Sequence, residues 1–197
     1  MGSTSYRKLF VKAVDLLKSS GIENVEYDIK AILTDTFGMD LNKFILDMDN
    51  EFEPDKDLEA KYLSRIEKRK EHIPLQYIIN KQNFYGLDFY VDESVLIPRY
   101  DTENIVDRIV KDCKENKCLS VLDLCTGSGC IAVSLKKCGF EKVYAADISD
   151  KALAVAKHNA KLNNADIIFL QSDLYENFPK EIRFDIIVSN PPYISTD

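Results

Sequence analysis

From Leu119 onward the sequence switches repeatedly between two periods, and that alternation constrains the fold more than any other feature. "LSVLDL" (119–124), "KVYAAD" (142–147), "DIIFLQSD" (166–173) and "FDIIVSN" (184–190) are short apolar runs of strand type. "GCIAVSLKKCG" (129–139) and "KALAVAKHNAKLN" (151–163) stand between them with helical spacing. A strand, a helix and a strand in succession make a right-handed crossover, so these segments predict a parallel sheet with helices on its faces. In such sheets ligands bind at the carboxyl ends of the strands, and functional residues are expected there.

The first part of the chain reads differently. From Ser5 to about residue 73 the spacing is helical: "YRKLFVKAVDLLKSSG" places Leu9, Phe10, Ala13, Leu16 and Leu17 on one stripe, with Gly21 as its stop. "EYDIKAILTDTFG" and "DLNKFILDM" repeat the pattern on either side of Gly38. A charged helix follows from about Pro54 to Glu71 and ends before Pro74. "NFYGLDFYVDESVLIP" then alternates aromatic and polar residues around Gly86, as a β-hairpin does. Asp101 or Thr102 is positioned to cap a helix running to Cys113. The expected organisation is a helical bundle over 1–73 that holds part of a substrate, a hairpin linker over 74–100, and an α/β domain over 101–197.

A net charge of −7 argues against a protein that grips nucleic acid by its phosphates, which requires clustered positive charge. The basic run 65–72 is interleaved with glutamate and reads as a solvated helix face. No stretch approaches the roughly 20 apolar residues of a membrane helix, and the N-terminus lacks a signal-peptide core, so a cytoplasmic protein without membrane attachment is expected. The five cysteines, Cys113, Cys118, Cys125, Cys130 and Cys138, form no CxxC pair and read as reduced, small apolar residues; no metal is expected.

Two features carry chemistry. The first strand ends in "LDLCTGSGCIA", where Gly127 and Gly129 allow a sharp turn and close backbone approach, and the next helix offers free N–H groups. The second strand ends in Asp147, whose carboxylate can accept the hydroxyls of a ribose. This is a nucleoside-cofactor site, and by itself it also satisfies the dinucleotide fingerprint of a dehydrogenase. Asp173, at the end of the third strand, stands where an adenine amino group can donate to it, or where it can cap a turn. The second feature is "DIIVSNPPY": an apolar strand runs into an asparagine and two prolines, and since proline lacks an N–H the strand must stop at Asn190.

"VLIPRYDTE" (95–103), "VLDLCTGSGCIA", "VYAADIS", "QSDL" and "NPPYI", in this order and spacing, resemble the release factor glutamine methyltransferases, the PrmC or HemK family. "IPLQYI" (73–78) is similar too. The resemblance covers roughly residues 70–194; "NPPY" alone is shared with adenine-specific DNA methyltransferases, but its combination with "IPRxDTE" is far more specific. It implies a Rossmann-like, class I methyltransferase that uses S-adenosyl-L-methionine to methylate N5 of the glutamine in the Gly-Gly-Gln motif of class 1 peptide chain release factors. By position it implies that Cys125, Thr126, Gly127, Ser128, Gly129 and Asp147 hold the methionine and ribose portions of the cofactor, Asp173 and Leu174 the adenine, with Arg99, Thr102 and Asn190 also on the cofactor side. Asn190, Pro191, Pro192 and Tyr193 would form the catalytic clamp on the target glutamine, the Asn190 oxygen and Pro191 carbonyl accepting its two N–H groups. The family often has glycine at Cys125 and proline at Tyr100; Tyr100 is expected to adopt an extended loop backbone. A methyltransferase sheet of seven strands would continue past Tyr193, so a truncated form with an exposed sheet edge is expected, and an inactive cofactor-binding fragment and an adenine methyltransferase remain alternatives.

Overall fold

The computed structural model describes residues 3–53, 55–116 and 119–191, which divide into two compact units, 1–79 and 80–197. In the first, β1 (Thr4–Ser5) leads directly into α1 (Tyr6–Lys18). Ser5 caps α1 by accepting the Lys8 N–H, and Leu9, Ala13 and Leu17 turn inward, one residue per turn. α2 (Val25–Phe37) ends at Gly38 in the left-handed region, and α3 (Leu41–Leu46) is capped by Asp40, which accepts the Lys43 N–H at 2.7 Å. β2 (Glu51–Phe52) pairs antiparallel with β1, a contact that two-residue strands do not signal in the sequence. α4 (Lys56–Lys70) follows its Asp55 cap, and a short α5 (Leu75–Ile79), absent from the periodicity argument, closes the unit.

Its core is mainly aliphatic, with Leu17, Ile29, Ile32 and Leu33 wholly buried around the rings of Phe44 and Tyr62; against it Tyr6 and Phe52 pack tilted with centroids 4.5 Å apart, and Phe37 meets them edge-on at 5.3 and 6.2 Å. One ion pair is enclosed here. Asp28 on α2 receives the Arg69 Nε donor from α4 at 2.6 Å, while Arg69 Nη1 also donates to the Ile73 carbonyl.

The second unit begins with the hairpin of β3 (Gln82–Phe84) and β4 (Leu87–Phe89). Phe84 pairs with Leu87, leaving Tyr85 and Gly86 as a two-residue turn with φ of +52° and +72°; positive φ at both central positions matches the twist of the flanking strands. The hairpin is part of the unit it precedes, because Phe84 and Phe89 are wholly buried in the core beneath the sheet. Tyr85 clips it further: its hydroxyl donates to Asp107 at 2.7 Å and its N–H to Glu103 at 2.8 Å, both on α6 (Tyr100–Asp112).

The strand–helix alternation builds β5 (Ser120–Leu124), α7 (Cys130–Lys137), β6 (Lys142–Asp147), α8 (Asp150–Leu162), β7 (Ile168–Gln171) and β8 (Ile186–Ser189). Among the described residues the sheet has four parallel strands in the order β7-β6-β5-β8. Val121, Val143, Ala145 and Val188 face the helices and hairpin, while Leu122, Leu124 and Ala146 face Phe178 and Phe184 from the segment before β8. Asp185 seats β8 beside β5 by accepting the Ser120 N–H at 2.8 Å. The carboxyl ends of β5, β6 and β8 therefore lie side by side.

Tyr100 departs from the sequence-based expectation. It is the first helical residue of α6, 73% exposed, not part of an extended loop. The first helical position needs no intrahelical N–H bond and suits a fixed φ, which is why proline is favoured there; tyrosine adopts the same helical backbone without the ring's pre-set angle. The α6 cap is Arg99, two residues before the expected start, and Thr102 is thereby freed for another contact.

Candidate functional site

A cavity of about 500 Å³ opens at the carboxyl ends of β5, β6 and β8. Its wall brings together Arg99, Thr102, Cys125, Thr126, Gly127, Ser128, Asp147, Asn190 and Pro191 from the sequence-predicted set. Gly129 caps α7 just behind it at φ +78°. Asp173 and Leu174 are exposed beyond the end of β7 and outside the lining; the Asp173 backbone carbonyl closes a turn by accepting the Glu176 N–H. Pro192 and Tyr193 lie outside the described residues.

The loop between β5 and α7 is held from every side. Thr126 N–H donates to the Ala146 carbonyl and Gly129 N–H to the Thr126 carbonyl, both at 2.9 Å, so the loop hangs on β6 and turns tightly. Cys125 sits at φ +59°, a left-handed conformation that costs a side-chain-bearing residue roughly 1–2 kcal/mol and that glycine adopts freely. That backbone angle is the physical reason glycine suits this position.

Asp147 spans the mouth. One carboxylate oxygen accepts the Gly127 N–H at 2.9 Å and the other the Ser149 N–H at 3.0 Å. Each oxygen retains lone-pair capacity, so the carboxylate can accept further donors from a ligand without breaking either bond.

Beneath the loop is Asp123, a residue sequence reasoning passed over. It is 1% exposed, accepts the Thr126 hydroxyl at 2.6 Å and the Ala132 N–H at 3.1 Å, and its other oxygen has no hydrogen-bond partner. Burial pushes its carboxyl up to about 7, against the lowering effect of those two donors. The available signal was a carboxylate inside an apolar parallel strand, where continuous hydrophobic residues are the rule. Asn159, fully buried on the alanine-rich inner face of α8, was missed for the same reason.

Asn190 stands at the tip of β8. Its Nδ2 donates to the Thr102 hydroxyl at 3.4 Å, and Thr102 is itself buried on α6. The amide is thus turned with nitrogen toward α6, while its oxygen has no donor among the described residues. Ser189, one residue earlier, locks the strand end by donating its hydroxyl to the Leu124 carbonyl at 2.7 Å.

The size of the cavity suits a nucleoside-sized molecule. Its donor set suits one as well: N–H groups at the α7 N-terminus for an anionic end, a carboxylate for sugar hydroxyls, and apolar walls from Val95, Leu96, Ile131 and Ile148 for a flat base. Cys125 and Cys130 also line it, and burial raises the Cys130 thiol to about 12, which keeps it protonated.

Residues 8–79 match the family described as the PrmC N-terminal domain, and residues 102–197 the methyltransferase small domain. A release factor glutamine methyltransferase of Flavobacterium psychrophilum is 49% identical over 64% of this chain and 45% of its own length. One from Leptospira interrogans is 39% identical over 94% of this chain and 66% of its own. The chain thus spans about half to two thirds of the length of these curated relatives. The solved structure of a ribosomal protein L11 methylase from Lactobacillus delbrueckii subsp. bulgaricus is similar over 47% of each chain, at 33% identity and a TM-score of 0.43.

Proposed function

We propose that this chain, which belongs to the release factor glutamine methyltransferase family, carries the cofactor site and amide clamp for methylating a glutamine side chain of a class 1 peptide chain release factor. The cofactor of this reading is S-adenosyl-L-methionine, which when bound supplies an electrophilic methyl carbon on a sulfonium sulfur. The loop 125–129 and the first turn of α7 would hold its amino-acid end, Asp147 its ribose hydroxyls, and the apolar wall around Leu96 and Ile148 its base.

The observation that carries the reading is the orientation of Asn190. An amide nitrogen is a poor nucleophile because its lone pair is delocalised into the carbonyl, so transfer to it depends on alignment, which can supply several kcal/mol of the barrier. The Asn190 oxygen, which has no donor among the described residues, accepts one N–H of the target amide, and the Pro191 carbonyl accepts the other. Two fixed acceptors orient the nitrogen and stabilise the positive charge that develops on it. The ring of Pro191 fixes φ, so the clamp is set before the substrate arrives.

The helical unit is proposed to hold part of the release factor. Leu41, Ile45 and Leu46 on α3 are 51–80% exposed, apolar surface of the kind partner proteins cover. The net charge of −7 favours a protein substrate over a nucleic acid.

The test is incubation with labelled S-adenosyl-L-methionine and a release factor, beside its variant with Ala for Gln in the Gly-Gly-Gln motif. Label is expected on the unmodified factor alone; label on both, or on added DNA, refutes the assignment. Asn190→Ala should lower transfer by about 100-fold or more, as loss of a transition-state hydrogen-bonding group does, with cofactor affinity nearly unchanged. Surviving turnover would remove Asn190 from the clamp.

A further inference from the structure

Asn159 is 0% exposed, lies on α8 among alanines, and uses its amide in three directions. Its oxygen accepts the Tyr90 N–H at 2.7 Å, and its nitrogen donates to the Tyr90 carbonyl and to the Ser128 carbonyl, each at 2.9 Å. The pair with Tyr90 imitates one rung of a sheet ladder and fixes which end of the amide is nitrogen. The third bond then reaches the loop that lines the cavity.

We propose that Asn159 is the positioning residue of the β5–α7 loop, setting the direction of the Ser128 peptide and, through it, the affinity of the loop for the amino-acid end of the cofactor. This rests on the cavity being the S-adenosyl-L-methionine site. A loop that binds a carboxylate must offer N–H groups and keep its carbonyl oxygens away, because a C=O facing the ligand repels it. Asn159 takes up the Ser128 carbonyl from behind. Gly129 N–H goes to Thr126, Gly127 N–H to Asp147 and Ala132 N–H to Asp123, so the donors left without an oxygen acceptor among the described residues are the N–H groups of Ser128 in the loop and of Cys130 and Ile131 in the first turn of α7.

The same face of α8 supports the loop sterically. Ala156, one turn before Asn159, lies so close that a Cβ on Gly129 would stand 3.0 Å from its Cβ, and Ala152 reaches the cavity wall. Small side chains bring α8 near enough for a short amide to touch the loop, and the amide then dictates one peptide orientation. Asn163, one turn later, instead donates to the Asp88 carbonyl, and so ties α8 to the hairpin without touching the loop.

The experiment compares wild type, Asn159→Asp, Asn159→Ser and Asn163→Ala. Binding of S-adenosyl-L-methionine and of adenosine is measured by calorimetry, and exchange of the amides of residues 126–131 by hydrogen–deuterium exchange. Asn159→Asp keeps the shape and the acceptor for Tyr90 N–H but removes both donors; it should weaken S-adenosyl-L-methionine by about tenfold or more, adenosine by less than about threefold, and speed exchange in the loop. Asn163→Ala should leave the ratio of the two affinities and the loop exchange unchanged. If Asn159→Asp does not fold, the smaller Asn159→Ser carries the same expectation. Equal weakening of both ligands, or unaltered loop exchange, overturns the proposal. A wild type that binds no S-adenosyl-L-methionine would sink the cofactor reading, while the exchange comparison would still decide whether Asn159 orders the loop.

Discussion

Gly129→Ala and Gly127→Ala are the same chemical change two residues apart, and the structure assigns them different costs. Both glycines lie in the left-handed region, at φ +78° and +54°. Each alanine variant therefore bears about 1 kcal/mol of backbone strain, offset in part by the lower entropy of the unfolded chain. A Cβ at Gly127 meets nothing within 4 Å, so the net cost there should stay near 0.5–1 kcal/mol. At Gly129 the new Cβ stands 3.0 Å from the Ala156 Cβ and 3.2 Å from its Cα, well inside ordinary contact distance, and the nearest atoms belong to a packed helix that cannot swing aside. Overpacking of this kind adds about 1–3 kcal/mol, so Gly129→Ala should cost about 1.5–4 kcal/mol in total. Ala156→Gly deletes the closest atom but leaves the Cα, so combining it with Gly129→Ala should recover about 1 kcal/mol relative to the sum of the single changes. The assay is urea-dependent hydrogen exchange of the β5 and β6 amides, which reports on the sheet unit without interference from the helical one. Gly129→Ala within about 0.5 kcal/mol of Gly127→Ala, or a double variant that is simply additive, would refute the close approach of α8 to the loop.

Cys125→Gly should be more stable than Cys125→Ala by about 1 kcal/mol in denaturant titrations, reversing the usual order of these residues, because only glycine relieves the φ of +59°. Asp123 retains its proton up to about pH 7 in the folded chain, whereas its ordinary value is 3.8; the native state thus binds more protons between about pH 4 and 7, and stability falls as pH rises through that window. Asp123→Asn should remove that slope from a series of unfolding curves, and an unchanged slope would clear Asp123 of responsibility. Asp28→Ala should destabilise the helical unit by about 3 kcal/mol in thermal or urea unfolding, since it strands the enclosed Arg69 guanidinium, while Asp49→Ala at the solvent-exposed Arg7 pair should leave the unfolding midpoint nearly unchanged.

The parts of the protein that are local in the chain were legible in its sequence. Periodicity alone predicts β5 to β8 with α7 and α8 between them, because each element's apolar spacing is written within one segment. The turn at Tyr85 and Gly86, the glycine loop and Asp147 at a strand end follow equally from residue type and immediate neighbours. What the tertiary structure decided joins residues far apart in the chain. Thr102 orients Asn190 across 88 positions, Asn159 reaches Tyr90 across 69 and Ser128 across 31, and the segment around Val95 and Leu96 walls a cavity otherwise lined by the segments that follow β5 and β6. The burial of Asp123, and with it the rise of its carboxyl, exists only once α7 and the loop have closed over β5. A side-chain hydrogen bond leaves no period in the sequence; its partner is selected when the sheet order brings β8 beside β5 and α8 beneath the loop, and that selection belongs to packing.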